Sequence, residues 1–289
     1  MSTDSLAVAL PVLQHLKASF GPAQAGPPGT VLEVELDHGR ANEMGSAQLD
    51  EWERLAGWIE AGPCRVLLTW SRRRTARGTP IFIAGANVTE RADWPQDRVL
   101  AHVRRQRAVM ARLRRAPVFH VVVVDGLALG WGTEFLITAD YRIAGPGAAF
   151  ALPETGIGIL PGAGGTSELW TLIGAPQALR MGMTGEQIDA REALRIGLVQ
   201  ERLDSLELGL DRARALAAQV VRRSPTGVAA FKRGVLSSVG QDVGTRQEIE
   251  AAAYERCVFN GDAAVGRAAF KEITAGQPAS WPPRARNLG

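Results

Sequence analysis

The feature that most constrains the fold is a run of apolar residues near the middle of the chain, "VFHVVVVDG", residues 118–126. A half-exposed strand alternates apolar and polar residues, because successive side chains point to opposite faces of a sheet. Four consecutive valines leave no polar face in this run. It therefore predicts a strand that is covered on both sides, as in a parallel or mixed sheet.

The order of the other patterns extends this interpretation to most of the chain. Strand patterns such as "VLEVELDHG" (31–39) alternate with helical patterns such as the basic amphipathic segment at 98–115. Residues 205–272 are then helical in pattern, with an interruption at Ser224 and Pro225. Alternation followed by helices alone predicts an α/β core with a C-terminal helical part. We expect an N-terminal extension and linker at 1–29, a core at 30–204 and a helical region at 205–289.

Composition and charge argue against several classes of partner. The chain has 289 residues, of which 46% are apolar and 22% charged, as expected for a globular protein with a sizeable core. A formal net charge of +3 gives little reason to expect nucleic acid as a partner. No apolar run reaches the roughly 18 residues of a membrane span, and the N-terminus lacks a signal-peptide pattern. We therefore expect no membrane partner.

The cysteines and histidines are too scattered to form a recognisable site. Cys64 and Cys257 are far apart, and the four histidines have no ligand spacing. Two reduced thiols are typical of a cytoplasmic protein. We therefore expect no metal site and a cytoplasmic location.

Two glutamates stand in a glycine-rich, largely apolar stretch that runs from Ala128 to Thr166. Glycines that follow a buried strand and precede a helix can direct backbone N–H groups into a pocket, where they stabilise an oxyanion. An apolar pocket raises the pKa of a carboxyl group and prepares it for proton transfer. Glu134 and Glu154 can thus divide the work of adding water across a double bond. The two residues alone also fit purely structural roles, Glu134 at a helix N-terminus and Glu154 in a surface turn.

Other glycine-dependent sites do not fit this stretch. The pattern G-x-G-x-x-G of a dinucleotide-binding loop fails, because Phe135 occupies the place of the third glycine. No GK[ST] occurs, which excludes a phosphate-binding P-loop, and the G-x-S-x-G pattern of many hydrolases is missing.

Three motifs resemble those of the crotonase superfamily, the enoyl-CoA hydratases and isomerases. "FIAGANVTE" (82–90) is similar to F-x-A-G-A-D-[IL]-x-E, and "VDGLALGWGTEFLITADYRIAG" (124–145) to V-x-G-x-A-x-G-G-G-x-E-L-x-x-x-x-D-x-x-x-A. "FALPETGIGILPGAGGTSEL" (150–169) is similar to F-x-x-P-E-x-x-x-G-x-x-P-G-x-G-G-T. The motifs occur in the family's order and spacing, and the likeness covers about residues 30–273.

The resemblance implies a fold and a ligand. The family fold is a crotonase-like spiral of ββα units, followed by a C-terminal helical region that assembles trimers, often paired into hexamers. The ligand is an acyl-CoA thioester, so coenzyme A is part of the substrate and no separate cofactor is expected.

The resemblance also assigns roles to residues of this chain. It implies that Glu134 and Glu154 are catalytic, and that the backbone N–H groups of Ala86 and Trp131 form the oxyanion hole. It places the contacts to CoA and substrate at Ala41, Ala84, Gly85, Ala86, Asn87, Val88, Gly130, Gly132 and Gly162.

The chain departs from the family pattern at three places. Trp131 replaces the middle glycine of G-G-G, which keeps the N–H but brings in an indole that we expect in the acyl pocket. Asn87 replaces an aspartate and shares its turn chemistry. The loop "SRRRTARGTP" (71–80) is longer and more basic than usual. It is either solvated or it brings Arg72, Arg73, Arg74 or Arg77 to the phosphates of CoA.

Retention of both glutamates favours reversible syn hydration of a 2-enoyl-CoA, or the reverse dehydration. Glu154 would protonate the α-carbon and Glu134 would hold and activate water. One alternative is another crotonase reaction through the same enolate, such as double-bond isomerisation or decarboxylation, possibly in a biosynthetic pathway. A second is a non-catalytic subunit that binds acyl-CoA or RNA.

Overall fold

The computed structural model of the chain describes residues 9–285. Residues 1–8 of the predicted N-terminal extension and residues 286–289 of the helical region lie outside the described part. Within it, no helix is long and apolar enough to cross a membrane.

The described residues form ten strands and eleven α-helices, whose bounds are as follows. The strands are β1 (Leu16–Phe20), β2 (Val31–Leu36), β3 (Val66–Trp70), β4 (Ile81–Ile83), β5 (Phe119–Val124), β6 (Leu127–Leu129), β7 (Tyr141–Ala144), β8 (Ala149–Ala151), β9 (Ile188–Asp189) and β10 (Glu201–Arg202). The helices are α1 (Ser46–Ala61), α2 (Gln96–Arg115), α3 (Trp131–Phe135), α4 (Trp170–Ile173), α5 (Ala175–Thr184), α6 (Ala190–Arg195), α7 (Leu206–Val220), α8 (Pro225–Ser237), α9 (Val243–Phe259), α10 (Asp262–Ala268) and α11 (Phe270–Thr274). Short 3₁₀ helices lie at Thr89–Arg91, Leu136–Thr138 and Pro153–Ile157.

The strands form two sheets. Along the spiral the chain alternates between a strand of one sheet and a strand of the other. The larger sheet has the order β1-β2-β3-β5-β7-β10, and the smaller sheet has the order β4-β6-β8-β9. Pairings are parallel except for β1 with β2 and β8 with β9. Parallel neighbours need a crossover. Between β3 and β5 the crossover consists of β4, a strand of the smaller sheet, and the helix α2. The units β3-β4-α2 and β5-β6-α3 are successive turns of a ββα spiral.

The apolar run at 118–126 forms the centre of the larger sheet, as predicted. Val122 and Val124 of β5 belong to the core between the two sheets, whereas Val121 and Val123 belong to a second core on the other face. All four valines are fully buried. The strand has no polar face because helices or the other sheet cover both of its sides.

The C-terminal helices close the second core and extend beyond it. α7 packs on the outer face of the larger sheet through Leu206, Leu210, Ala213 and Ala217. α8 begins at Pro225, with the Ser224 side chain accepting a hydrogen bond from the Gly227 N–H, so the predicted interruption is confirmed. Lys232 of α8 is buried and donates to Asp140 Oδ2 at 2.8 Å.

The N-terminal part of the core differs from the prediction. Leu16–Phe20, assigned from sequence to an extension, form the antiparallel edge strand β1, so the sheet begins before residue 30. The Glu51 carboxylate, only 1% exposed, accepts hydrogen bonds from the backbone N–H groups of Gln14, His15 and Leu16 at 2.6–2.9 Å. A side chain of α1 thereby fixes the start of β1, a contact that the polar sequence "LKASF" does not reveal.

We predict that Glu51→Ala destabilises the protein by about 2–4 kcal/mol, because three backbone donors, of which that of Leu16 is buried, lose a charged acceptor. Urea unfolding at one fixed protein concentration measures this change. Glu53→Ala is the matched control, since Glu53 lies at the surface of the same helix and pairs only with Arg105. Its cost should stay within about 1 kcal/mol. Equal effects of the two variants would contradict the role given to Glu51.

Candidate active site

The candidate site begins where two parallel strands of the smaller sheet end side by side. Ile83 of β4 lies opposite Ala128 of β6. From β4 the chain enters residues 84–88, and from β6 it enters the first turn of α3. Because parallel strands end at the same edge of a sheet, Ala86 and Trp131 are brought to one edge.

Two backbone N–H groups at this edge have no acceptor among residues 9–285. The Met44 N–H donates to the Gly85 carbonyl and the Asn87 N–H donates to the Met44 carbonyl, each at 2.9 Å, which fixes the backbone on both sides of Ala86. The Ala86 N–H itself donates to nothing within residues 9–285. The same holds for Trp131, which is the first residue of α3 and therefore lacks an intrahelical acceptor. Two such donors can bind a developing oxyanion.

Two of the three positions in "GWG" require glycine, and the middle one does not. Gly130 has φ +51°, and a Cβ there would lie 2.6 Å from Glu154 Oε1. A Cβ on Gly132 would collide with the carbonyl oxygen of Ile83, because α3 packs directly on β4. Trp131 faces neither restriction, which explains how an indole replaces the family glycine without displacing the backbone.

Glu134 is buried at the end of α3 and is held in place. It is 2% exposed, and its Oε1 accepts hydrogen bonds from the N–H groups of Ala163 (2.7 Å) and Gly165 (2.8 Å). Burial raises its pKa to about 7; the two N–H bonds act in the opposite direction, and the Glu154 carboxylate raises the pKa further. At neutral pH Glu134 is thus poised between its protonated and ionised forms.

Glu154 lies in the 3₁₀ helix Pro153–Ile157 and is held less firmly. Its Oε2 is buried and has no hydrogen-bond partner within residues 9–285. Its Oε1 lies against Gly130, and burial raises the pKa of the carboxyl group. The site therefore pairs a fixed carboxyl group, Glu134, with one that is free to exchange a proton with a ligand.

The segment predicted to bind CoA is packed beside the unpaired N–H groups. The Ala84 N–H donates to the Ala41 carbonyl at 3.1 Å, and Asn87 Oδ1 accepts from the Glu90 N–H at 3.1 Å. Asn87 thus forms the turn that was expected of it. The structure brings these predicted residues to one edge: Ala41, Ala84, Gly85, Ala86, Asn87, Val88, Gly130 and Gly132. Their contacts with CoA stay a prediction.

Gly162 joins the site through α2. Its carbonyl accepts a hydrogen bond from Arg107 Nε at 3.1 Å, and a Cβ on Gly162 would lie 3.2 Å from Val103. A cavity of about 560 Å³ between α2 and the loop at 162–165 reaches Glu134. Its wall includes Arg107, Met110, Ile137, Ala163 and Trp170.

Some arginines of the basic loop at 71–80 make structural contacts, and some line a cavity. Arg72 stacks on the Trp70 ring at 4.4 Å, and Arg73 pairs with Asp37 at 2.8 Å. Arg73 and Arg74 also line a cavity of about 480 Å³ beside Ala41. Its wall contains Arg40 as well, a residue that sequence reasoning missed because an isolated arginine carries no pattern.

Trp131 has a second polar group without a partner. The indole is 2% exposed and belongs to the core between the sheets, and its Nε1–H finds no acceptor within the described residues. A buried indole N–H usually has a partner. The placement of this indole in an acyl pocket stays a prediction.

Comparisons with known proteins agree with the motifs and the fold. The enoyl-CoA hydratase/isomerase family model matches residues 75–278. The human mitochondrial enoyl-CoA hydratase domain-containing protein 2 is 33% identical over 255 residues, which is 86% of each chain. The short-chain-enoyl-CoA hydratase of Clostridium acetobutylicum is 32% identical over 249 residues, 84% of this chain and 92% of that protein.

A solved structure shows the same fold. The crystal structure of an enoyl-CoA hydratase from Bacillus anthracis superimposes with a TM-score of 0.82 at 29% identity, over 93% of this chain and 99% of that one. The predicted crotonase-like α/β fold is confirmed, and α7–α11 occupy the place of the C-terminal trimerisation region. The chain therefore belongs to the enoyl-CoA hydratase/isomerase family of the crotonase superfamily, whose shared chemistry is the processing of acyl-CoA thioesters.

Proposed function

We propose that this protein catalyses the reversible syn addition of water to a 2-enoyl-CoA. One observation carries the proposal: two carboxyl groups of raised pKa, the buried Glu134 and the half-buried Glu154, lie beside two backbone N–H groups that have no acceptor in the described chain. Addition of water needs one group to accept a proton and another to deliver one. It also needs donors for the enolate oxygen.

The first step of the proposed reaction uses the oxyanion hole and Glu134. The thioester oxygen accepts hydrogen bonds from the N–H groups of Ala86 and Trp131, which draws electrons from the double bond. Ionised Glu134 takes a proton from water while the oxygen of that water bonds to C3. The electron pair of the double bond moves into the enolate.

Glu154 completes the addition. Its protonated carboxyl group gives the proton to C2, the enolate collapses to the thioester, and the product is a 3-hydroxyacyl-CoA. Exchange of protons with solvent restores Glu134 and Glu154. The orphan Oε2 of Glu154 suits this role, because a carboxyl group without fixed bonds can turn toward the substrate carbon.

The CoA end of the substrate has a candidate site beside Ala41. Arg40, Arg73 and Arg74 line the cavity there, and guanidinium groups bind phosphate well. We assign this cavity to the phosphates of CoA.

We further infer that the protein self-associates as a trimer or a pair of trimers. Phe231, Tyr254, Phe259 and Phe270 of the C-terminal helices are each at least 65% exposed, which is much exposed apolar surface for a monomer. The exposed rings are suited to contacts between copies.

The first test measures hydration of crotonyl-CoA and of longer and branched 2-enoyl-CoAs. The loss of the conjugated thioester absorbance reports the reaction. We expect turnover by the wild type. Glu154→Gln should lower kcat by a factor on the order of hundreds or more, because general acid catalysis is lost. The double variant Glu134→Ala, Glu154→Ala should show none. Glu207→Gln, an exposed glutamate on α7, is the matched control.

An unchanged rate in Glu154→Gln would refute the role of that residue. If the wild type binds acyl-CoA tightly without hydrating any enoyl-CoA, the hydratase assignment fails. Mass spectrometry of products from 3-enoyl-CoA and carboxylated acyl-CoA then tests isomerisation and decarboxylation. Binding without any product would leave a non-catalytic subunit.

A second prediction concerns pH. Glu134 must be ionised to accept a proton, and its pKa is about 7. We expect kcat/KM for hydration to fall about tenfold per pH unit below that value. Glu134→Gln should lower the rate and remove this limb of the profile. A profile of the same shape in Glu134→Gln would assign the limb to another group.

The same pKa predicts an effect on stability that needs no substrate. The folded state holds the Glu134 proton up to about pH 7, whereas the unfolded chain loses it near the ordinary value of 4.5. The wild type should therefore lose stability as pH rises from about 4.5 to 7. Glu134→Gln should be more stable than the wild type at pH 8 and nearly equal to it at pH 4.5. Urea unfolding at the two pH values measures the difference, and equal differences would contradict the raised pKa.

Trp131 gives a further prediction, which concerns the preference for acyl chain length. Trp131→Gly restores the family residue and removes the indole beside the oxyanion N–H. We expect the preference among acyl chain lengths to change more than the highest rate. Trp131→Phe, which keeps a smaller aromatic ring at the position, is the control. If kcat/KM across the chain-length series keeps its order in Trp131→Gly, the indole does not line the acyl pocket.

A further inference from the structure

Asn42 has a backbone conformation that residues other than glycine rarely adopt. Its φ is +53°, and among residues 9–285 it is the only residue other than glycine with a positive φ. Left-handed backbone costs free energy for a residue with a Cβ, although asparagine tolerates it better than most. Asn42 is also 3% exposed. Such a conformation persists only where surrounding contacts impose it, and outliers of this kind concentrate at functional sites.

The Asn42 side chain joins the ends of three strands. Its Nδ2 lies within hydrogen-bond distance of the Leu36 carbonyl at the end of β2 (3.2 Å), of Ser71 Oγ just after β3 (2.9 Å) and of the Phe82 carbonyl of β4 (2.8 Å). Its Oδ1 accepts a hydrogen bond from the His38 N–H at 2.7 Å. Since β2 and β3 belong to the larger sheet and β4 to the smaller one, this amide links the two sheets.

The backbone around Asn42 supports the segment that carries the Ala86 N–H. Residues 41–44 lie parallel to residues 84–87, and three backbone hydrogen bonds of 2.9–3.1 Å join the two segments. Met44 pairs with Ala86 in an isolated parallel bridge. The left-handed turn at Asn42 directs the chain from the end of β2 into this short pairing. The conformation of Asn42 therefore sets the position of the segment on which the proposed oxyanion hole depends.

We propose that Asn42 is a positioning residue, which holds the Ala86 N–H where it binds the thioester oxygen. This proposal rests on the oxyanion hole of the proposed function. The Ala86 N–H is fixed along its own segment, because the amide binds Phe82, and across the pairing, because Asn42 places Met44. Donors stabilise an oxyanion well only when they are in place before the charge develops. A displacement of about 1 Å can cost roughly a hundredfold in rate.

The first variant is Asn42→Gly, since glycine adopts this backbone conformation without strain and only the amide is lost. We expect kcat for crotonyl-CoA to fall by a factor of about ten to one hundred. KM should change by less than about threefold, because the loss falls on the transition state.

Asn260→Gly is the matched control. Asn260 Nδ2 also lies within hydrogen-bond distance of three acceptors, in Thr226, Asp262 and Pro283, all of the C-terminal part of the chain. The variant therefore loses the same kind of side-chain contacts, and none of them involves residues 41–44 or 84–87. Its kcat should stay within about twofold of the wild-type value.

Infrared spectroscopy separates positioning from a purely structural role. Butyryl-CoA with an isotope label at its thioester carbonyl is saturated, so it binds without being hydrated. Two N–H donors at the carbonyl oxygen weaken the C=O bond, and the stretching band of the ligand bound to the wild type should lie at a lower frequency than in water. Asn42→Gly should lose most of this displacement, whereas Asn260→Gly should keep it.

Ser71→Ala is a milder variant in case Asn42→Gly does not fold. It keeps Asn42 but removes one of the three acceptors around its Nδ2. We expect a smaller decrease in both kcat and the displacement of the carbonyl band. An unchanged band in Asn42→Gly, or in Ser71→Ala if only that variant folds, would restrict the Asn42 contacts to stability. Equal losses in Asn260→Gly would assign the effect to general destabilisation. Both outcomes would overturn the proposal.

Failure of the hydratase function looks different. In that case the displaced band in the wild type and its loss in Asn42→Gly are still measured with butyryl-CoA, while no enoyl-CoA is hydrated. A wild type without any displacement would instead refute the oxyanion hole, and the positioning role of Asn42 with it.

Discussion

The close packing of α3 on β4 is the constraint on which the site depends. Gly132 lies so near the Ile83 carbonyl that no side chain fits between them. This contact sets the N-terminus of α3 beside the segment that follows β4, so the N–H groups of Ala86 and Trp131 come to one edge of the smaller sheet. It also fixes the direction in which Glu134, one turn later, enters the core. Any larger residue at position 132 would move both the N–H groups proposed as the oxyanion hole and the Glu134 carboxyl group.

The carboxyl groups of the two glutamates differ in burial and in hydrogen bonding. Glu134 is enclosed and bound by two backbone N–H groups from the loop at 162–165, whereas Glu154 lies on a short 3₁₀ helix with an oxygen that has no partner. A buried carboxyl group costs stability when it ionises. The fold keeps Glu134 in this unfavourable state by surrounding it with a rigid spiral. Such a cost is typical of groups retained for chemistry.

Sequence reasoning succeeded where pattern and physics act over a few residues. The valines of β5 predicted a strand covered on both faces, which the structure confirms, whereas the roles predicted for the glycines and glutamates stay predictions. Strands β6 and β9 were missed because two or three residues are too few to show a period. β1 was missed because Glu51, distant in sequence, supplies its hydrogen bonds.

The polar atoms that the fold leaves without partners form a pattern of their own. Near the proposed site these include the donors Arg73 Nε and Trp131 Nε1 and the acceptor Glu154 Oε2. A buried polar atom without a partner costs free energy of folding. Glycine at position 131, as in the family motif, would remove one such atom, Trp131 Nε1. Since buried polar groups are satisfied in nearly all folded proteins, each of these atoms calls for a partner that the described chain does not supply.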